Sequence, residues 1–482
     1  MRNAALVARS ASLMLAGQLV ARVMGLATFM LLTRHLAVGA VGAFGYATVL
    51  VGFLALGVDF GFDQVVTRDT AKSGDRGLAG LALRWKTGMF LVLFPLLLVI
   101  AQVLPAQGGA TALVGILGTA VWLESLNRTI SGVCLAHGRA EYGVFTEILT
   151  SCLRFLAVFA VTRAGYGIVA VCLAYLASSS AASLVMMMVA YSRGGRLVTA
   201  IVPGQFSWLF REAASFVVYG LLFQLYFRID VVILSALRPA SDVGQYVAAF
   251  RVIEALLVVP AALMGALYPV LSRLAGGDET RGFERAILTS VRLLTLAGAG
   301  LSLVIGLSSV QVIRIITGGG YSEGAGYLRL LVPAFALICV NCTGLIGLSA
   351  MGRQKENVLI MLAGAVTKTM WNVLLIPRLG VEAACAGTIV TELVVTALVV
   401  TKFRATIPVA MWIRAASGAA AASVATVIGA AVTLGLSDIL RALTLVAVFA
   451  TVAILSKAVC ASDLSILAQL LRRRVSSPRG AV

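Results

Sequence analysis

The chain has 482 residues, 60% of them hydrophobic and only 12% charged, with a formal net charge of +18. Apolar runs of about 20 residues, the length that crosses a hydrocarbon core of about 30 Å, recur along it; short alternating segments, the mark of a membrane barrel, do not. The basic excess does not point to nucleic acid, because no polar domain interleaves basic with aromatic residues; it belongs to membrane topology.

About fourteen spans are expected at this span length. Six begin near Ala11, Val41, Gly88, Thr111, Val144 and Gly165, six more near Ala213, Gln245, Ala286, Leu328, Val358 and Val381, and the last two near Val409 and Arg441. Arg22 interrupts the first run, which continues as a span, so no cleavable signal is read there. Cytoplasmic loops carry an excess of Lys and Arg. Placing the amino terminus inside collects Arg2, Arg9, Arg68, Lys72, Arg76, Arg84, Lys86, Arg193, Arg196, Arg353 and Lys402 on that face. Arg34, Arg163, Arg238, Arg314, Arg329, Arg378 and Arg441 remain outside. The expectation is a multi-pass protein of the cell inner membrane with both termini cytoplasmic. Its longest outer loop, near 310–327, has room for a Gly-rich turn and a short helix. The tail, 459–482, is basic and cytoplasmic, and 457–474 reads as an interfacial helix against anionic lipid.

The chain repeats itself at a nearly constant offset. Val41-Gly42-Ala-Phe44 answers Val243-Gly244-Gln-Tyr246, Ala136-His-Gly138-Arg139 answers Ala350-Met-Gly352-Arg353, and Arg163-Ala-Gly165 answers Arg378-Leu-Gly380. The expected architecture is all-α: two six-helix lobes, 1–200 and 201–405, related by a pseudo-two-fold axis along the membrane normal, then two further helices in 406–458. The offset that pairs Gly138 with Gly352 also pairs Arg154 with Lys368. Each lies about ten residues into its span, or about 15 Å deep at the helical rise, near the midplane.

Charges inside spans cost about 2.5–3.5 kcal/mol each at the helix centre and so need a partner or a wet cavity. Arg22, Arg154 and Lys368 have no acid close by at helical spacing on their own faces and are candidates for a cationic cavity. Guanidinium groups pair phosphate oxygens in bidentate fashion and an ammonium acts as a point charge, so such a cavity suits a phosphorylated substrate. Glu124 with Arg128 and Arg251 with Glu254 share helix faces at i,i+4 and i,i+3, so mutual neutralisation is the competing reading. Arg228 and Asp230, two apart, cannot face one another; Arg251, at similar depth on the next span, is available to Asp230. Asp230, Glu254 and Glu392 are either ion-coupling groups or counter-ions, the counter-ion reading being preferred for Asp230 and Glu392. Asp59 and Asp63, at the cytoplasmic end of the second span, belong to an inner gate or are solvated. Pro95, Pro260, Pro269 and Pro333 permit kinks, and Gly52, Gly57 and Gly61 allow close helix approach.

Enzyme chemistry finds no support. His35 and His137 are the only histidines, neither beside an acid and a nucleophile, and no phosphate-cradling G-x-x-x-x-G-K-[ST] loop exists. The cysteines fall in or beside apolar runs, where they act as small hydrophobes, and the lone Cys339-x-x-Cys342 lacks a second pair; neither a metal nor a cofactor is expected.

The stretch 213–274, with Arg228-Ile-Asp230-Val-Val-Ile-Leu, then Val243-Gly-Gln-Tyr246, then Pro260 and Pro269, resembles the polysaccharide flippases of the multidrug, oligosaccharidyl-lipid and polysaccharide exporter superfamily. These include the bacterial O-antigen and exopolysaccharide translocases. Asn372-Val-Leu-Leu-Ile-Pro377 and Leu379-Gly380-Val-Glu-Ala-Ala384 carry the resemblance further, over about 1–404 in all. It implies two lobes in a V, alternating access, an ion gradient, and passage of an undecaprenyl-pyrophosphate-linked oligosaccharide to the periplasmic leaflet. The two additional spans resemble exopolysaccharide translocases and lipid II flippases. On this reading Arg22, Arg154, Arg228, Lys368 and Arg251 meet the substrate. Partners are the lipid-linked oligosaccharide, membrane lipids and polysaccharide polymerases. A cation-coupled drug exporter of the same superfamily is the alternative, which calls for an acid-dominated cavity. A membrane glycan polymerase or ligase would need a large outer loop bearing catalytic residues.

Overall fold

The computed structural model describes residues 2–74, 77–103, 110–192, 205–276, 280–432 and 438–455. The interfacial helix expected at 457–474, the basic tail, the lobe boundary near 200, and Arg76, Arg193 and Arg196 lie outside the described residues, as do the side chains of Arg2, Arg9 and Arg441. All described elements are helices. Lipid offers no hydrogen bonds, so a spanning segment must satisfy its backbone internally, and a helix does so within a single segment. Among the described residues thirteen helices are long and apolar enough to cross a membrane. The chain is therefore an all-α, polytopic membrane protein. The last predicted span coincides with α17 (Asp438–Leu455), which is not one of the thirteen.

The chain divides into two compact units, Met1–Val247 with Ile315–Tyr321, and Ala248–Arg314 with Ser322–Val482. The first holds α1 (Arg2–His35), α2 (Val38–Asp59), α3 (Phe62–Ser73), α4 (Gly77–Val103), α5 (Ala110–Ala136), α6 (Ala140–Arg163), α7 (Ile168–Ser192), α8 (Gln205–Leu237) and the start of α9 (Ala240–Leu256). α1 runs along α6, and α2 packs against α4, α5 and α8. Leu50, Leu54, Leu113, Val114 and Val158 form part of the buried core. Because lipid tails are as apolar as Leu, helix association here depends on close packing through small residues. A Cβ on Gly118 would stand 2.7 Å from the Phe94 ring, and one on Gly17 2.6 Å from Val144.

The two copies of the Val-Gly-x-aromatic motif meet each other at their glycines. A Cβ on Gly42 would overlap the carbonyl oxygen of Ala240 and stand 2.8 Å from the Gly244 nitrogen; one on Gly244 would overlap the carbonyl oxygen of Val38. Val38 and Ala240 are themselves equivalent positions of the repeat, so the contact is reciprocal. Backbone on both sides leaves no flexible side chain to yield. Gly42→Ala or Gly244→Ala is expected to destabilise the fold by about 1–3 kcal/mol through overpacking. The check is protein abundance and melting temperature in detergent, with Gly25→Ala as control, since nothing lies within 4 Å of a Cβ there.

Two sequence expectations need correction at the α2–α4 region. The second span does not end in a loop: the chain breaks at Phe60 and Gly61, both with positive φ (43° and 75°), and continues as α3. The third span begins at Gly77, not near Gly88, and Lys86 is not a loop cation but lies inside α4 with its side chain 0% exposed. Arg84 and Lys86 cut the apolar run in the sequence, which concealed the helical turns formed by Leu78, Ala79, Leu81 and Ala82.

The second unit holds α10 (Val258–Ala275), α11 (Thr280–Leu307), α13 (Ser322–Ala350), α14 (Gln354–Leu379), α15 (Val381–Phe403), α16 (Val409–Val432) and α17, while α12 (Ser309–Thr317) runs from it into the Gly-rich turn. The expected eighth span is two helices, broken at Leu257. Pro260, lacking an N–H, cannot bond the carbonyl of Leu256, which weakens the ladder where the break falls. α13 packs on α11 and α15, with Ser302 Oγ donating to Val332 O at 2.7 Å. The Ala-x-Gly-Arg turns have one local form. Gly138 and Gly352 have φ of 73° and 75°, and the N–H groups of Arg139 and Arg353 donate to Cys134 O and Leu348 O, both at 2.9 Å. Only glycine enters this left-handed conformation without a steric cost.

Candidate functional site

In the first unit the helices bring together a block of charge that no single segment contains. Lys86 Nζ of α4 lies 3.0 Å from Asp59 Oδ1 and 2.7 Å from Asp63 Oδ1, and donates to Ser125 O at 3.0 Å. Arg128 of α5 reaches Asp59 Oδ2 at 2.6 Å, Ser125 Oγ bonds Asp59, and Thr129 Oγ1 donates to Asp63 Oδ1 at 2.7 Å. Beside this block, Arg154 of α6 pairs with Glu124 of α5, which also accepts from Ser179 Oγ of α7 at 2.7 Å. The Arg154 guanidinium sits 4.5 Å from the Tyr175 ring centroid, a cation–π distance. Three acids thus meet three bases. The i,i+4 neighbours Glu124 and Arg128 each find a closer partner on another helix.

Charge balance does not close the block to a ligand. The Arg128 side chain remains 46% exposed and that of Arg154 22% exposed. A guanidinium carries five N–H donors, so one edge can hold a carboxylate while another faces open space. Arg22 is exposed on α1, which packs along α6. Arg228 of α8 is half-buried. Asp230 is fully buried, accepts from Tyr246 Oη, and takes the Val231 N–H at 2.9 Å.

The second unit has its own polar interior. Lys368 of α14 is 2% exposed with Nζ 5.8 Å from the Phe250 ring centroid. Glu392 of α15, equally buried, accepts from Asn341 Nδ2 of α13 at 2.7 Å, and Thr396 Oγ1 donates to Asn341 Oδ1 at 2.9 Å. Arg251 Nη1 donates to Glu254 Oε2 at 2.9 Å, one turn along α9. Asn372, one turn beyond Lys368, is fully buried, and neither atom of its amide has a hydrogen-bond partner among the described residues. An unsatisfied buried amide costs about 1–3 kcal/mol.

Several of these residues were missed in the sequence. The sequence places Lys86 among the cytoplasmic loop cations, and Ser179, Tyr175 and Asn341 carry no motif. Asn372 opens one of the stretches that carry the resemblance, but nothing in the sequence marks its amide as unsatisfied. Lys86, Arg128 and Arg154 acquire their partners from other helices, so no local spacing announces them.

Comparison with known proteins agrees with this architecture. None of the curated proteins matches the sequence. An inward-facing multidrug resistance MATE family transporter of the MOP superfamily superposes with a TM-score of 0.69 at 16% identity, over 80% of this chain and 95% of that one. The lipid II flippase MurJ, in an inward closed conformation, matches over 93% of this chain and 99% of its own with a TM-score of 0.75 at 10% identity. A MOP superfamily transporter from Pyrococcus furiosus matches over 83% and 96% with a TM-score of 0.57 at 16% identity. At such identities the likeness is one of fold. The MatE family matches residues 216–374. The family described as polysaccharide biosynthesis protein matches residues 7–275, more than half of the chain. The chain therefore belongs to the polysaccharide biosynthesis protein family.

Proposed function

We propose that this protein carries a polyprenyl-pyrophosphate-linked oligosaccharide across the bacterial inner membrane for cell-surface polysaccharide biosynthesis, by alternating access of two six-helix lobes, 1–200 and 201–405. The helices in 406–458 are an appendage to those lobes, 459–482 is the cytoplasmic tail, and both termini are cytoplasmic. The observation that carries the reading is the family match over 7–275 in a chain whose spans hold five basic candidates, Arg22, Arg154, Arg228, Arg251 and Lys368. Basic groups at membrane depth suit the pyrophosphate. Support for two related lobes comes from the reciprocal Gly42–Gly244 packing and from the matching turns at Gly138 and Gly352. Asn127 and Asn341, equivalent in the repeat, each tie their helix to the next but one, to Ser183 at 2.9 Å and to Glu392 at 2.7 Å. Asp230, Glu254 and Glu392 serve as counter-ions or as the groups that couple transport to an ion gradient. Polysaccharide polymerases are the expected partners downstream.

The test is deletion followed by analysis of lipid-linked intermediates. An undecaprenyl-linked oligosaccharide accumulating on the cytoplasmic leaflet, cleared by the restored gene, supports the proposal, and its sugars name the substrate. Unchanged lipid-linked pools with increased sensitivity to cationic drugs would instead establish the second reading, an exporter of the multidrug type, which the MatE match over 216–374 favours.

A further inference from the structure

The three bases of the charge block in the first unit are not equivalent. Lys86 is 0% exposed and stands 3.0 Å from Asp59 and 2.7 Å from Asp63. Arg154 is the one cation within ion-pair distance of Glu124 among the described residues, and its guanidinium also lies over the Tyr175 ring. Arg128 differs from both. Its acid partners, Asp59 at 2.6 Å and Asp63 at 3.9 Å, are the two that Lys86 already holds, and Ser125 Oγ and Thr129 Oγ1 donate to them as well. Withdrawing Arg154 leaves Glu124 without a cation, and withdrawing Lys86 leaves Asp63 with one only at 3.9 Å. Withdrawing Arg128 leaves both aspartates on an ammonium within 3.0 Å.

Arg128 is also the base that faces open space. From Leu113 to Ala136 every residue of α5 is buried or half-buried except Arg128, whose side chain is 46% exposed. α5 packs against α2, α3, α4, α6 and α7, and the Asp59 and Asp63 side chains beside Arg128 are 22% and 20% exposed. A charge facing hydrocarbon costs about 2.5–3.5 kcal/mol, so the space that these three share is wet. Of the five N–H donors of the guanidinium, one on Nη2 bonds Asp59, and Nε lies 3.9 Å from Asp63, beyond hydrogen-bond reach. The remaining donors have no protein acceptor among the described residues.

We infer that Arg128 takes an oxyanion of the cargo by giving up Asp59 for it, while Lys86 retains both aspartates. A guanidinium binds carboxylate and phosphate oxygens in the same bidentate geometry, so the group that rests on Asp59 suits either. Two sources share that chemistry, the pyrophosphate of a lipid carrier and the carboxylate of an acidic sugar. The exchange keeps every carboxylate of the block beside a cation throughout, which avoids the cost of an uncompensated buried charge. Naming the cargo rests on the flippase reading; the exchange itself is measured by binding alone.

Full-length protein in neutral phosphatidylcholine nanodiscs is titrated by calorimetry with inorganic pyrophosphate in one arm and glucuronate in the other. Saturable binding of at least one probe is expected, weakened at least about tenfold in Arg128→Gln, which loses charge-assisted hydrogen bonds, and less in Arg128→Lys. Pyrophosphate alone assigns the carrier end of the cargo, glucuronate alone an acidic sugar, and both an oxyanion site open to either. Asp59→Asn removes the resting partner and should tighten binding several-fold. The same change on the Arg128→Gln background should not, which separates exchange from the loss of one negative charge. Thermal unfolding is the second readout: Arg128→Gln should melt near the wild type, because Lys86 keeps both aspartates, whereas Lys86→Met should not. The inference is overturned by a wild type that binds neither probe, or by Arg128→Gln binding as the wild type does. It is equally overturned if Asp59→Asn gains nothing, or if Arg128→Gln loses as much melting temperature as Lys86→Met. Should deletion leave lipid-linked pools unchanged while these titrations hold, the flippase reading fails and the exchange stands.

Discussion

Lys86→Met is expected to destabilise the first unit by about 3–5 kcal/mol, the scale on which removing one partner from a buried ion pair destabilises proteins. The ammonium is 0% exposed and lies within 3.0 Å of Asp59 and 2.7 Å of Asp63. Without it, Arg128 is the one cation within ion-pair distance of the two carboxylates among the described residues, reaching Asp59 at 2.6 Å but Asp63 only at 3.9 Å. The measurement is thermal unfolding in detergent together with abundance in the membrane. The control is Asp63→Asn on the Lys86→Met background, which removes one orphaned charge and should recover a substantial part of the loss. A single variant that melts with the wild type would show that water, and not the ammonium, solvates these carboxylates.

Lys368→Ala and Arg154→Ala are each expected to abolish polysaccharide export. The two positions are equivalent in the repeat, equally far along their helices from the turn glycines Gly138 and Gly352. Their surroundings differ, and the difference shapes the experiment. Lys368 is 2% exposed, so export in Lys368→Ala is read against its measured abundance. Arg154 pairs with Glu124 and stacks on Tyr175, so truncating it also strands a carboxylate. The double variant Glu124→Gln/Arg154→Gln separates these effects by removing both charges. Export restored in the double variant would make Arg154 a purely internal partner of Glu124; export still absent, with normal abundance, keeps it in the substrate path. Normal export in Lys368→Ala and Arg154→Ala together would remove both from the site.

The sequence by itself determined the class of molecule. Apolar run lengths and the solvent properties of lipid leave helices as the answer, and of the repeated motifs the pair at Gly138 and Gly352 forms turns of one kind. The intramembrane charges were legible too, because an Arg or Glu among leucines stands out without any coordinates. Which charges meet was decided only by the tertiary structure. Glu124 took Arg154 of another helix in place of its i,i+4 neighbour Arg128, and Lys86 left the loop for the interior of α4. The reason is geometric: helical spacing constrains partners along one helix, as for Arg251 and Glu254, whereas Glu124 and Lys86 find their counter-charges across helices, at a register the primary structure does not encode locally. The same holds for the glycines. Gly42 and Gly244 read as a repeated pair of letters, and only packing revealed that each is small because the other's helix backbone lies against it.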